Sequence, residues 1–273
     1  GGVVRIANGS RVVAGRVVQV RLPRRWLPRI QVVEYLRAFL MGRTGWSRLG
    51  GLVVISGAFG LFRRDLVVAV GGMSTDTIGE DAELVVRLHH YLRRRGADYR
   101  IVFVSEPVSW SEAPSTLRVL GHQRRRWHRG MAEILRKHRV MIGNPRYGRV
   151  GLLVLPWYLL FEVLAPAVEA LALVLVPLGL LLDVVNMDFA VWFLLVAYGY
   201  AMVVTLTALF LEEIAFHRYP RWRDFSAMTA AAALENIGYR QTLAAFQLQG
   251  LWAALRGRQH VWGQMTRRGF DTS

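Results

Sequence analysis

The chain has 273 residues, 53% of them hydrophobic, and sets 35 Lys+Arg against 19 Asp+Glu for a formal charge of +16. The absence of cysteine excludes a disulfide framework and any thiolate metal site. The cationic excess points to polyanions such as nucleic acid, anionic lipid or phosphorylated ligands. The basic residues crowd before residue 150 and the apolar ones after it, which suits a membrane protein with a basic head better than a nucleic-acid binder.

Residues 3–6 and 11–21 read as extended, with a hairpin turn near Gly15. Pro23 and Pro28 bracket the entry to a helix over 28–41, where Ile30, Val33, Leu36 and Leu40 recur at helical spacing. Gly42, Gly45, Gly50 and Gly51 predict a loose connection. Residues 52–56 form an apolar run that predicts a buried strand ending at Gly57, and 58–62 a second extended piece. A short helix over 65–70 is stopped by Gly71-Gly72, and a longer one over 80–95 by Gly96. A strand is expected over 99–104, then a long basic helix capped by Ser115 or Thr116 and running to about His138. This alternation predicts an α/β domain. Three or four strands are too few for a full doubly wound sheet, so further strands are expected upstream of Gly1.

The remaining chain reads as membrane segments. Residues 189–211 carry no charge and are long enough to cross a hydrocarbon core of about 30 Å. Residues 150–182 are also apolar but contain Glu162, Glu169, Pro156, Pro166 and Pro177, which predicts one kinked span or an interfacial segment leading into a span. The connection over 183–188 is acidic, while the loop over 217–224 carries Arg218, Arg221 and Arg223. By the positive-inside rule the head and that loop are cytosolic. Residues 225–255 include Glu235, Asn236, Arg240 and Gln241, too polar for a simple lipid-facing span. They predict a re-entrant or interfacial helical pair, followed by a tail with Arg256, Arg258, Arg267 and Arg268. Three regions result: a head over 1–149, two spans over 150–216, and interfacial helices with a basic tail over 217–273.

Two stretches of the head carry chemistry. Asp81, in Gly79-Glu80-Asp81, falls in the first turn of its helix, where free N–H groups and the dipole favour the anion that a general base must be. The alternative is that Glu80 and Asp81 only complement the dipole. In Gln123-Arg124-Arg125-Arg126-Trp127, residues 123, 126 and 127 share one helix face. That face offers an amide, a guanidinium able to grip a diphosphate, and an indole able to cover a sugar ring. The alternative is a basic helix that docks on anionic lipid.

Taken together and joined to spans, these stretches resemble the membrane-integrated, inverting family-2 glycosyltransferases, the group of the cellulose, chitin, hyaluronan and poly-N-acetylglucosamine synthases. Gly79-Glu80-Asp81 matches that family's Thr-Glu-Asp motif except at the first residue. The second stretch matches its Gln-x-x-Arg-Trp motif completely, and Ile55-Ser56-Gly57-Ala58-Phe59-Gly60 with Arg63-Arg64 resembles its acceptor-facing loop. The resemblance implies a partial GT-A-type domain followed by transmembrane or interfacial helices, in a multi-pass protein of the plasma membrane. It implies Asp81 as the base, Trp127 stacked on the acceptor sugar, and Arg126 with Gln123 on the departing diphosphate. Glu80, Ser56 and Gly57 would contact substrate. The donor would be a UDP- or GDP-sugar and the acceptor a glycan or lipid, with the bilayer as a further partner and no nucleic acid. The family's Mg²⁺ or Mn²⁺ is expected to be held by aspartates upstream of Gly1, because no Asp-x-Asp occurs in this chain. Glu162 and Glu169, seven apart, would line a glycan path, or else pair with a cation such as Arg240 or sit at a shallow interfacial position, and the structural reading is the favoured one. The competing function is a non-catalytic basic anchor that binds anionic lipid or a partner protein.

Overall fold

A computed structural model describes residues 1–217, 219 and 221–257. Arg218, Arg258, Arg267 and Arg268, part of the expected basic loop and tail, lie outside the described residues.

The first strand, β1 (Gly2–Ile6), is buried along its whole length, as its run of Val3, Val4 and Ile6 demands. β2 (Arg11–Val13) and β3 (Arg16–Gln19) form the expected antiparallel hairpin. Ala14 and Gly15 turn the chain with φ of 48° and 75°, the two positive values that a two-residue hairpin turn requires. α1 (Trp26–Tyr35) buries Ile30 and Val33, each contributing about 1.5–3 kcal/mol.

Beyond α1 the structure corrects the expected loose connection at Gly42 and Gly45. The helix continues through wider π-type turns at Leu36–Arg43 into α2 (Thr44–Arg48). Side-chain packing overrides the two glycines: Phe39 and Leu40 are buried, and Trp46 meets Trp157 edge-on with ring centroids 5.9 Å apart. The expected break falls later, at Gly50 with φ 69°.

A second correction concerns strands. Leu52, Val53 and Ile55 are buried as predicted, with Leu52 and Val53 sealed from solvent, but residues 52–55 form no ladder. Residues 58–62 form no strand either; Ser56 and Phe59 make one isolated bridge. The strand expected over 99–104 lies instead at β4 (Val104–Ser111), because its partner β1 pairs with it in parallel from Gly2 opposite Val104 to Ile6 opposite Ser111. Among the described residues the sheets are therefore one parallel pair and one hairpin, and the rest is mostly helical.

α3 (Arg64–Ala69) ends at Gly71 and Gly72, both with positive φ, as expected. α4 (Glu80–Arg94) ends before Gly96, whose φ is 62°. In α5 (Leu117–Lys137) the Thr116 hydroxyl accepts from the Val119 N–H, which selects Thr116 over Ser115 as the cap. α6 (Leu155–Trp157) sits between π-type stretches Val150–Val154 and Tyr158–Val163. A 40° bend then leads into α7 (Ala165–Leu181). α8 (Met187–Phe216) is an apolar helix of 30 residues, with most of its length exposed. α9 (Trp222–Leu234) and α10 (Arg240–Leu255) are joined by Glu235–Tyr239, kinked at Ile237 and at Gly238, where φ is 81°.

Among the described residues, two ion pairs bind the head to these helices. Arg5 of β1 reaches Glu212 of α8, with Nη2 to Oε2 at 2.6 Å and both side chains at most 4% exposed. Arg37 donates to Glu235 Oε2 at 2.8 Å and to the Thr205 hydroxyl at 2.9 Å.

Candidate active site

α4 and α5 meet closely where Asp81 begins its helix. A Cβ on Gly130 would lie 3.2 Å from the Gly79 nitrogen, and one on Gly79 would lie 3.1 Å from Ile134 Cδ1. Glycine at 79 thus leaves room for α5, a packing reason for the departure from threonine at that position.

Asp81 is half-buried. Its Oδ1 accepts from the Ala82 N–H at 2.7 Å, and the chain provides it with no ion pair among the described residues. Its Oδ2 lies 3.2 Å from where a Gly57 Cβ would stand. Any side chain at 57 would crowd the carboxylate, so the loop and the helix start that the sequence singled out are neighbours. Ser56 holds the loop's turn: its carbonyl accepts from the Phe59 N–H at 3.1 Å and its hydroxyl from the Ala58 N–H at 3.3 Å. Glu80 is half-buried beside Asp81 at the helix start.

On α5, Gln123 is buried with its Oε1 unpartnered, Arg126 is half-buried, and Trp127 is 41% exposed. Neither Glu80 nor Gln123 hydrogen-bonds Asp81. Arg124 and Arg125 serve packing. Arg124 grips Glu34 of α1 with Nη1 to Oε1 at 2.5 Å and Nη2 to Oε2 at 2.8 Å, and lies over the Trp127 ring at 4.8 Å. Burial opposes its charge, but Glu34 more than compensates and raises its pKa. Arg125 donates to Gln249 of α10 at 2.7 Å.

The sequence reading missed Arg43. It lies in the stretch taken for a connection, and no motif marks it. Its guanidinium lies over the Phe39 ring at 3.6 Å. Phe39 stacks on Tyr35 at 5.0 Å, and Tyr35 lies 6.5 Å from Trp127. Dense surroundings pull the Arg43 pKa down to about 10, against the opposing fields of Tyr158, Tyr35, Asp81 and Glu162. Its Nη1 is buried without a hydrogen-bond partner.

An open cavity of about 590 Å³ runs between α1, the bend before α7, α8 and the start of α10. Glu34, Arg37, Glu162, Glu169, Tyr239 and Arg240 are in its wall. Arg240 Nε meets Glu169 Oε2 at 3.3 Å, one of the two structural roles expected from the sequence. Glu162 is accessible from the cavity.

Among the described residues no group of three or more His, Cys, Asp or Glu could hold a metal ion. The donor set of the described residues does not fit the implied divalent cation.

Comparison with known proteins gives a consistent outcome. The family described as "Glycosyl transferase family group 2" matches residues 7–207. A poly-beta-1,6-N-acetyl-D-glucosamine synthase of Staphylococcus aureus (strain COL) is 37% identical over 109 residues, which is 40% of this chain and 25% of the relative. The synthase of the same name from Staphylococcus epidermidis is 33% identical over an equal stretch. The matched stretch thus spans about a quarter of these relatives. No solved structure matches.

Proposed function

The chain belongs to glycosyl transferase family group 2, and we propose that it is the acceptor-side part of a GT-A-type, inverting transferase that moves a sugar from a UDP- or GDP-sugar to a glycan or lipid acceptor at a membrane. The observation that carries this reading is the meeting of Asp81 with Gly57, beside a helix that exposes Trp127.

In the proposed step Trp127 covers the acceptor sugar and Asp81 takes the proton of its attacking hydroxyl. The hydroxyl oxygen forms a bond to the anomeric carbon from the face opposite the leaving group. The bond from that carbon to the diphosphate breaks, and its electron pair leaves with the nucleoside diphosphate, whose charge Arg126 and Gln123 receive. The names of the relatives favour an N-acetylhexosamine as the sugar transferred.

We also place the enzyme in the plasma membrane with its head cytosolic. α8, 30 residues long and about 45 Å at 1.5 Å per residue, suffices for one crossing. The bent pair Val150–Val163 and Ala165–Leu181 is read as the second. α9 and α10, kinked at Gly238, are read as an interfacial or re-entrant pair. The cavity beside Glu162 is read as room for the growing acceptor.

The test is nucleoside diphosphate release by the intact protein in membranes, with Mg²⁺ or Mn²⁺ and a panel of UDP- and GDP-sugars. One donor should support release, and Asp81→Asn should lower it about 10²–10⁴-fold. Trp127→Ala should weaken acceptor use. Folded wild-type protein that releases nothing from any donor would leave the anchor reading in its place.

A further inference from the structure

We propose that the cavity between α4 and the end of α3 binds a phosphate group, carried by a soluble phosphate ester or by a phospholipid headgroup.

This cavity has a volume of about 520 Å³ and is lined by Val70, Arg87, His90, Tyr91, Arg94 and Arg95. The last five stand at i, i+3, i+4, i+7 and i+8, so they share one face of α4, while Leu84, Val85, Leu88 and Leu92 are buried on the other. The wall carries guanidiniums and no carboxylate. The cavity beside Glu162 is the opposite case, with Glu34, Glu162, Glu169 and Glu235 set against Arg37 and Arg240.

The floor of the site is fixed and its rim is uncommitted. Arg87 ties the two walls together: its Nη1 donates to the Val70 carbonyl and its Nη2 to the Gly72 carbonyl, both at 2.7 Å, and Glu83 balances its charge at 2.9 Å. His90 Nε2 meets the Tyr147 hydroxyl at 3.1 Å. The Arg95 guanidinium lies over the Tyr91 ring at 4.2 Å. Arg94 and Arg95 are exposed and, among the described residues, enter no ion pair. Like charges gathered on one helix face are unfavourable, and an anion between them offsets that. Basic residues in a last turn also answer the helix dipole, but that accounts for neither Arg87, about two turns earlier, nor the cavity.

Guanidinium forks fit the paired oxygens of a phosphate. Tyr91 and Val70 offer apolar surface to the rest of the ester. Arg94 lies about 20 Å along α4 from Asp81 at 1.5 Å per residue, so the cavity is separate from the carboxylate read as the base.

The experiment titrates the intact protein in detergent at low salt with inorganic pyrophosphate and, separately, with dioctanoyl phosphatidic acid, using dioctanoyl phosphatidylcholine as the blank. Calorimetry gives the Kd, and thermal melting reports folding. Wild type is compared with Arg94→Gln joined to Arg95→Gln, and with Arg24→Gln joined to Arg25→Gln, which removes the same charge from exposed residues outside the cavity. In the cavity variant the Kd should rise about tenfold or more, as for lost hydrogen bonds to a charged group, while the control stays within about threefold. Pyrophosphate binding lost in the cavity variant assigns a soluble ester. Binding of phosphatidic acid alone, lost in the same variant, assigns a lipid headgroup. The proposal is overturned if neither probe binds, if both variants weaken binding alike, which would make it diffuse charge, or if the cavity variant binds as wild type does. Should the cavity variant not fold, Arg94→Gln alone is judged by the same comparison.

Discussion

Where the head meets the helices, Arg5 with Glu212 and Arg37 with Glu235 join elements far apart in the chain, as Arg240 with Glu169 does among the helices. At the head, Arg43 Nη1, Gln123 Oε1 and His128 Nε2 are buried with no partner. Both regions take polar groups out of water, and in the head Arg124 is gripped by Glu34 while these three atoms are left without a hydrogen bond. Paired charges hold helices in register. Gln123 and His128 lie on α5, and Arg43 ends the π-type turns that follow α1. The contrast teaches that burial of a polar group does not by itself signify function, whereas burial without a partner is what a binding site tolerates.

The comparison can be broken first at Arg5. Arg5→Leu strands Glu212 in a site at most 4% exposed and should cost about 3–5 kcal/mol. Arg5→Leu with Glu212→Leu should recover most of that, because an apolar pair of similar volume replaces the ions. Melting temperatures of the single and double variants in detergent decide it; a double variant no better than the single would show that the pair does more than satisfy itself.

His89 is the next test, and it concerns pH. Its Nδ1 meets the Tyr99 hydroxyl at 2.6 Å and its Nε2 the Leu52 carbonyl at 2.9 Å. Burial, with Arg93 adding to it, lowers its pKa from 6.5 to about 4 despite the Leu52 bond. The folded state therefore resists a proton that the unfolded chain accepts. Stability is full above pH 6.5, is lost as pH falls toward 4 and is flat below, by on the order of 3 kcal/mol. Stability measured against pH should show this slope, and His89→Gln should remove it.

Gln123→Leu sharpens the contrast from the other side. Deleting a buried, unpartnered acceptor should leave stability unchanged or raise it by about 1 kcal/mol while transfer falls. A variant that loses stability and activity together would make Gln123 a structural residue. The smallest effect belongs to Lys137 and Asp76, paired at 2.9 Å with side chains 35% and 66% exposed. Asp76→Ala should cost less than about 1 kcal/mol, and raised salt should erase the difference.

Local patterns in the sequence foretold much of this molecule. The turn at Gly15, the ends of α4 at Glu80 and Gly96, the Thr116 cap and the long apolar α8 each follow from residues within a few positions of one another. The same holds for Asp81 at a helix start and for the common face of Gln123 and Trp127. What depends on distant partners was not legible. Gly42 and Gly45 look like a break until Phe39 and Trp46 find their neighbours, and the run at Leu52 looks like a strand although no ladder forms beside it. The strand before α5 could be placed only by knowing where β1 pairs. Arg43 shows the limit most clearly. Its chemistry comes from Phe39 beneath it, Asp81 on another helix and Glu162 over a hundred residues away. The sequence by itself determined the helices, the apolar segments and the two motifs, because capping and periodicity act over a turn or two. Only the tertiary structure decided which buried charges are paired and which polar atoms are left without a hydrogen bond, because burial and pairing depend on contacts across the whole chain.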